Sequence, residues 1–319
     1  MHRFHLGTNN QVWLWLLGMA LLAIGCENSQ RRKLVESAPL ITQSYLDDQG
    51  RQIRLPGAPE TVISLAPNLT EMIFSIGAGD RLVARSQACD FPPEVEYIPE
   101  VTTYPNLDLE QLQATGGELM VATDEIFTPE DIRQMERTNI PIYLQSYRSL
   151  TDVYRCMRDL GKLLGQESQA NQVADSLAML EQRVLDSTAN QIKYRTLILI
   201  SNDPLKVVGG TGFLNELIEK AGGTNVFGPM DEPYPTVTVE AILKAEPEFL
   251  ILPSKDDQIY ADLLVQYPLL YNTPADVYKQ VHVIDPDLLY RPGPRMLEGL
   301  LEMTHILHTQ LNPQIFLNE

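Results

Sequence analysis

A chain of 319 residues with 44% hydrophobic content can bury a large core, and its length suits about two domains. Forty-two acidic residues stand against 24 basic ones, a net charge of −18. Such a surface repels nucleic acid and anionic lipid headgroups, so a protein partner should present a basic face.

At the N-terminus Arg3 precedes an apolar run from Val12 to Ile24 that ends in "LLAIGC". Thirteen residues are too few for a comfortable membrane span but suit the apolar core of a signal peptide. Gly25 before Cys26, with Leu22 and Ala23 upstream, resembles the lipobox at which bacterial lipoproteins are cleaved and the new terminal cysteine acylated. Ala23 stands where leucine is commonest, and an ordinary cysteine beside a conventional cleavage site is the bland alternative. Residues 1–25 are thus read as a signal peptide and 26–44 as a polar tether, giving an exported, lipid-anchored protein. Cleavage removes Arg3 and leaves 23 basic residues against 42 acidic ones, a mature charge of −19. In an oxidising compartment Cys89 and Cys156 would remain as a candidate disulfide, stapling one lobe only.

Next, "ITQSYLDDQGRQIRL" (41–55) reads as a hairpin around an Asp-Gln-Gly turn. From Thr61 buried strands alternate with helices. "TVISLAP" is a strand, "NLTEMIFSIGAG" a helix closed by glycines, and "ELMVAT" and "IPIYLQ" are strands preceded by the helices "LDLEQLQAT" and "TPEDIRQMERT". This alternation implies a parallel sheet covered on both faces.

The segment "ESQANQVADSLAMLEQRVLDS" (167–187) carries Val173, Leu177, Leu180 and Val184 as a single apolar stripe, with no glycine or proline. That spacing predicts one continuous helix about 30 Å long. The series then repeats. "RTLILIS" is a strand, "FLNELIEKAGG" matches "LTEMIFSIGAG" in its Glu, apolar pair and closing glycine, "VTVEAILKAEPEFLIL" mirrors "LDLEQLQATGGELMVA", and "VHVID" closes. The reading is α/β: two Rossmann-like lobes with parallel sheets joined by a single long α-helix. The lobes span residues 45–166, with the leading hairpin, and 191–319, and the linker is 167–190. Hinge closure should be small, because a continuous helix has few positions that absorb large backbone rotations.

The ordered set "VISLAPNLTEMIFSIGAG", "CDFPPEV", "YPNLDLEQLQATGGELMVAT", a long helix, "GGTGFLNELIEKAGGTNVF", "YPTVTVEAIL" and "RPGPRMLEGL" resembles the helical-backbone (class III) periplasmic substrate-binding proteins of ABC importers. Within these it is most similar to the cobalamin, haem and ferric-siderophore branch, especially the cobalamin-binding members. The resemblance covers residues 42 to about 310 and implies a non-enzymatic, monomeric receptor without a resident cofactor. Such a receptor captures a corrinoid or another metal chelate and delivers it to a permease. The cleft tryptophans of the best-known cobalamin binders are absent, since Trp13 and Trp15 lie in the signal segment.

The phrase Tyr-Pro-x-apolar-x-apolar-Glu occurs twice, as "YPNLDLE" (104–110) and "YPTVTVE" (234–240). In the family a glutamate on each lobe docks with permease arginines, and Glu110 and Glu240 match those positions. Each follows a candidate N-cap, Asp108 or Thr238, which sets it in a first helical turn. A helix macrodipole favours a carboxylate there without any partner, but the twin inside the same phrase adds weight to docking. Loops at the carboxyl ends of parallel strands face the crevice, so Tyr104 and Tyr234 are expected to confront each other there and pack on a flat ring system. The other candidates for the cleft are Pro67, Asn68, Asp90, Phe91, Leu289, Tyr290 and Arg291. Arg291 suits either a ligand carboxylate or phosphate, or a neighbouring acid.

Rival functions fit less well. "VVGGTGFLNEL" has glycines before a helix, but Asn215 occupies the place of a third glycine and no P-loop lysine is present. No nucleophile elbow appears. A bare-metal site needs several ligands from separate loops, whereas after the signal only His282, His305 and His308 remain. Axial ligation of haem by Tyr234 or Tyr290 is compatible with the sequence, since one tyrosine can suffice.

Overall fold

The computed structural model describes residues 42–256 and 258–309. The signal peptide, Cys26, most of the tether, Trp13, Trp15 and the last residues of the C-terminal lobe lie outside the described residues. From Ser44 onward the chain forms one compact unit.

Strands β1 (Gln43–Leu46) and β2 (Gln52–Leu55) pair as the expected hairpin. Its turn is organised by Asp47, whose Oδ1 accepts the amides of Gln49 (3.1 Å) and Arg51 (2.8 Å), and Gly50 takes the left-handed conformation (φ 75°). The N-terminal lobe follows as β3 (Val62–Ser64), α1 (Pro67–Ser75), β4 (Leu82–Ser86), β5 (Glu100–Val101), α2 (Leu109–Ala114), β6 (Leu119–Thr123), α3 (Pro129–Glu136), β7 (Ile142–Gln145) and α4 (Leu150–Leu163). The long helix α5 (Glu167–Thr188) leads to the second lobe: β8 (Tyr194–Asn202), β9 (Leu205–Val207), α6 (Phe213–Lys220), β10 (Gly223–Asn225), α7 (Val239–Ala245), β11 (Phe249–Pro253), α8 (Ile259–Gln266), α9 (Pro274–Val277), β12 (Val281–Ile284), α10 (Pro286–Tyr290) and α11 (Met296–Leu307).

The first sheet has the order β5-β4-β3-β6-β7 and the second β10-β8-β11-β12. Every one of those neighbouring pairs is parallel, and β9 adds antiparallel to β8. Leaving aside the two-residue edge strand β5 and the antiparallel β9, the first strand of each lobe is flanked by the second and third, with the fourth outside the third. Strands β3 and β6 are buried at every position, as continuous apolar runs must be when helices cover both faces. The punctuation is duplicated too: α1 and α6 both end before a left-handed glycine, Gly77 (φ 76°) and Gly222 (φ 83°).

One apolar core runs through both lobes. It joins α1 (Leu69, Met72, Ile73), α4 (Val153, Met157, Leu160), α6 (Leu214, Leu217, Ile218) and α11 (Met296, Leu297, Leu300). Two smaller clusters back the outer sheet faces, around Ile63, Met120 and Ile142 in one lobe and Leu197, Leu250 and Leu263 in the other. The 22 residues of α5 span about 33 Å and bury Ala170, Ala174, Val184 and Thr188, with Val173, Leu177 and Leu180 packed at the edge of the shared core. Gly161 lets α5 lie close on α4, since a methyl group there would collide with Ala170 Cβ. The lobes thus share a packed wall of helices as well as a strut.

The expected Cys89–Cys156 bridge is not formed; both are buried free thiols. Cys89, after β4, sits beside Thr70 Oγ1 (3.1 Å) and Ser86 Oγ (3.2 Å). Cys156, in α4, faces the hairpin turn at Asp48 (3.6 Å). Each thiol packs in a pocket of its own, and burial pushes both above the usual thiol range, away from the reactive thiolate.

Candidate functional site: the inter-lobe cleft

Where the carboxyl ends of the two sheets meet, a cleft of about 470 Å³ opens between the lobes. The N-terminal lobe lines it with Pro67 and Asn68 at the start of α1, Thr123, Glu125 and Ile126 after β6, and Tyr147 and Arg148 after β7. From the C-terminal lobe come Gly212 and Phe213 opening α6, Pro233 and Tyr234, and Tyr290, Arg291 and Pro292 after α10. This volume lies within the range of small-molecule sites.

Of the residues expected from sequence, Pro67, Asn68, Tyr234, Tyr290 and Arg291 are brought together on the cleft wall. Tyr104 is not. It is 79% exposed, outside the cleft lining, and its carbonyl accepts from Gln87 Nε2 (2.8 Å); the expected pair of facing tyrosines is replaced by Tyr234 and Tyr290, both from the second lobe. Leu289 is fully buried in the shared core, because the short helix α10 turns it inward and leaves its neighbour Tyr290 open to the cleft.

Asp90 and Phe91 serve beneath the cleft, in a bridge between lobes. Arg291 Nη1 donates to Asp90 Oδ1 (2.6 Å) and Glu71 Oε1 (3.2 Å), and its Nη2 pairs with Asp287 Oδ1 (2.9 Å). Arg295 forks onto the same Glu71 (3.0 and 2.7 Å) and lies over the Phe91 ring, 4.0 Å from its centroid. Hydrogen bonding from Arg291 holds the Asp90 carboxyl below its ordinary range. The Asn68 amide adds a further crossing, donating to Pro292 O (3.3 Å).

Glu71 is 3% exposed and, though on α1, is neutralised among the described residues by arginines of the other lobe alone. Its counterpart in the repeat, Glu216 on α6, crosses in the opposite direction: Oε2 accepts from the Leu150 amide (2.8 Å) at the start of α4. Glu216 also pairs with Lys220, which reaches Glu181 of α5, itself the acceptor of the Tyr154 hydroxyl. Sequence reasoning matched these two glutamates without giving them a role. The signal was a carboxylate at the same place in two otherwise apolar helix faces.

The acids after β6 were missed as well. Glu125 is open to the cleft, yet the surrounding walls displace so much water that desolvation, aided by the Asp124 charge, pushes its carboxyl up to about 7. Asp124 accepts from Gln49 Nε2 (2.6 Å) and Ser146 Oγ (2.7 Å), while its buried Oδ1 has no hydrogen-bond partner among the described residues. Burial, with Tyr234 nearby, pushes Tyr290 up to about 12, and burial with Glu125 raises Tyr234. Both phenols are therefore neutral hydrogen-bond donors on the cleft wall.

The glycines of "VVGGTG" serve close approach of backbone. A methyl group on Gly209 would meet Glu232 O and one on Gly210 would meet Gly228 O, while Gly210 N donates to Met230 O (2.7 Å). The loop that carries Tyr234 is thus held against the strand it follows in space. Among the described residues no group of three His, Cys, Asp or Glu side chains can hold a metal ion. His282 stacks on Phe249, His308 is buried against Tyr194, and His305 is exposed.

Two lobes of one design, fixed to each other around a ligand-sized cleft, define a solute-binding protein. The chain belongs to the periplasmic binding protein family, which it matches over residues 62–288. It is 28% identical over 251 residues to a vitamin B12-binding protein of Vibrio parahaemolyticus, covering 76% of this chain and 88% of that one. It is 23% identical to an uncharacterized ABC transporter substrate-binding lipoprotein of Bacillus subtilis, over 93% of this chain and 96% of that one. A periplasmic haem-binding protein of Pseudomonas aeruginosa superimposes with a TM-score of 0.71, at 23% identity and covering 80% of this chain and 94% of that one, a likeness of fold. The protein is accordingly a substrate-binding protein of the ABC-importer kind, not an enzyme.

Proposed function

We propose that this protein captures a corrinoid in the inter-lobe cleft and hands it to an ABC permease from a lipid anchor at Cys26, facing the periplasm or cell exterior and acting as a monomer. The observation that carries the reading is the cleft itself, walled by the neutral phenols of Tyr234 and Tyr290, which can pack on and donate to a broad ring with polar edges. The vitamin B12-binding relative supports the same ligand class. Glu110 and Glu240, exposed in the first turns of α2 and α7 and set there by the Asp108 and Thr238 caps, are the proposed docking points for basic permease residues.

Haem is the second reading, favoured by the two cleft tyrosines, either of which can be an axial ligand. The test mixes the mature chain, solubilised in detergent, with cyanocobalamin, haem and a ferric hydroxamate in turn and follows visible absorbance and melting. A true ligand at 1,000 times its dissociation constant adds about 4 kcal/mol of stability. A shift with haem alone replaces the corrinoid reading, and no shift with any chelate ends it.

A further inference from the structure

We infer that Glu125 is the charge selector of the cleft, turning away chelates whose rim carries carboxylates and accepting those whose rim carries carboxamides. This rests on the reading of the cleft as a chelate site. The charges on its wall carry the argument. Arg291, which from sequence was suited to a ligand anion, is already surrounded by Glu71, Asp90 and Asp287 within 3.2 Å, and its side chain is only 14% exposed. Even with Arg295 and with Lys255, which pairs with Asp287 (2.6 Å) and Asp285 (3.7 Å), counted in, that side of the cleft holds four acids to three bases. The other cation of the lining, Arg148, stands 76% exposed at the rim, 3.7 Å from Asp124 Oδ2.

Glu125 shares the cleft wall with Arg291 and Arg148 but has no cation in ion-pair range among the described residues, where only the Tyr147 amide donates to it, at 3.3 Å. A carboxylate offers about four acceptor positions, so most of its capacity is turned to the cleft. A ligand carboxylate placed there meets repulsion, which grows as the bound ring displaces water from between the two charges. A carboxamide N–H there gains a charge-assisted hydrogen bond.

The groups facing Glu125 make the selection depend on pH. Asp124 and Asp152 raise its affinity for a proton, Arg148 and the Tyr147 amide lower it, and across the cleft the Tyr234 hydroxyl feels its charge. Discrimination is strongest well above pH 7, falls as the pH passes through about 7, where Glu125 takes up a proton, and is weak by pH 6, while ligand carboxylates, with ordinary values near 4, stay ionised throughout.

Matched ligands isolate charge from ring shape. Cyanocobalamin is compared with its monocarboxylate hydrolysis product, and haem with its bis-amide, by titration of the mature chain in detergent at pH 8 and pH 6. In whichever pair binds, the amide form is preferred by about tenfold or more at pH 8, and the preference shrinks at pH 6. In Glu125→Gln the ratio falls to within about threefold at both pH values, and in Glu125→Lys it reverses. Equal affinity for the two members at pH 8 in the wild type, or an undiminished ratio in Glu125→Gln, overturns the inference while leaving chelate capture standing. Binding of neither pair removes the corrinoid and haem readings of the cleft, and the inference with them.

Discussion

The two lobes share a strand order and a seven-residue phrase, but the phrase does different work in each. In the C-terminal lobe the stretch from Pro233 to Val237 lies antiparallel along β9: Gly209 N donates to Pro233 O (2.9 Å), Val207 N to Pro235 O (3.1 Å) and Val237 N to Leu205 O (2.9 Å). That ladder aims Tyr234 into the cleft. The N-terminal lobe has no counterpart of β9, because β3 leads into α1 through Leu65 and Ala66 alone, and Tyr104 stands out in solvent. The second half of the phrase keeps its geometry in both lobes, with Asp108 capping Gln111 (2.9 Å) and Thr238 capping Ala241 (3.3 Å) just before an exposed glutamate. A duplicated motif can therefore retain one task in both copies and lose another in one. Here the caps and acids are symmetric, while the aromatic contact is confined to the lobe with the extra hairpin.

The comparison is open to direct attack. Reversing both symmetric acids, Glu110→Lys with Glu240→Lys, should abolish uptake in a transport assay while melting temperature and ligand affinity stay nearly unchanged; a loss of affinity would put these carboxylates in the cleft. Next in size are the crossing glutamates. Glu71→Ala leaves two poorly solvated arginines short of a counter-ion and should cost about 3 kcal/mol in denaturant unfolding. Glu216→Ala removes a helix-cap acceptor but leaves Lys220 its Glu181 partner, and should cost about 1 kcal/mol. Equal costs would mean that the two ties are not of different kinds.

The tyrosines should separate more gently. Tyr234→Ala is expected to weaken ligand binding by about 1–2 kcal/mol, whereas Tyr104→Ala should change it less than about twofold, both read by titration. The smallest effect concerns pH. Burial lowers His308 below its ordinary value of 6.5, so its contribution to stability is whole above pH 6.5 and drains away as the pH falls through that value and below. The slope is at most about 1.4 kcal/mol per pH unit. In His308→Leu the fall in melting temperature between neutral and mildly acidic pH should be shallower, and an unchanged slope would assign the acid sensitivity elsewhere.

Legibility in the sequence followed the strength of local signals. The α/β lobes and α5 were readable because long apolar runs and an unbroken 3.6-residue stripe leave few alternatives. Asn68, Tyr234, Tyr290 and Arg291 could be assigned to the cleft because they sit just past strand or helix ends, where chain order alone fixes the side of the sheet. Glu125, Arg148 and Tyr147 were not, since they occupy irregular loops after β6 and β7 in which no periodicity distinguishes a wall residue from a solvated one. Leu289 was misassigned by one position, the difference that a single short helix makes to the direction of a side chain. Arg291 shows the deeper limit: its type announces an anion, but only the folded chain reveals that the anions are its own.

The opposed ties of Glu71 and Glu216, stitched across a shared core beside α5, have a consequence for delivery. If these ties hold the jaw at one angle, little motion is left to signal that it is loaded, and the transporter proposed above would have to sense the cargo itself or the altered lip around it. Prising the mouth wide enough to empty it would strand buried charges on both sides, and the force for that must come from the machine underneath.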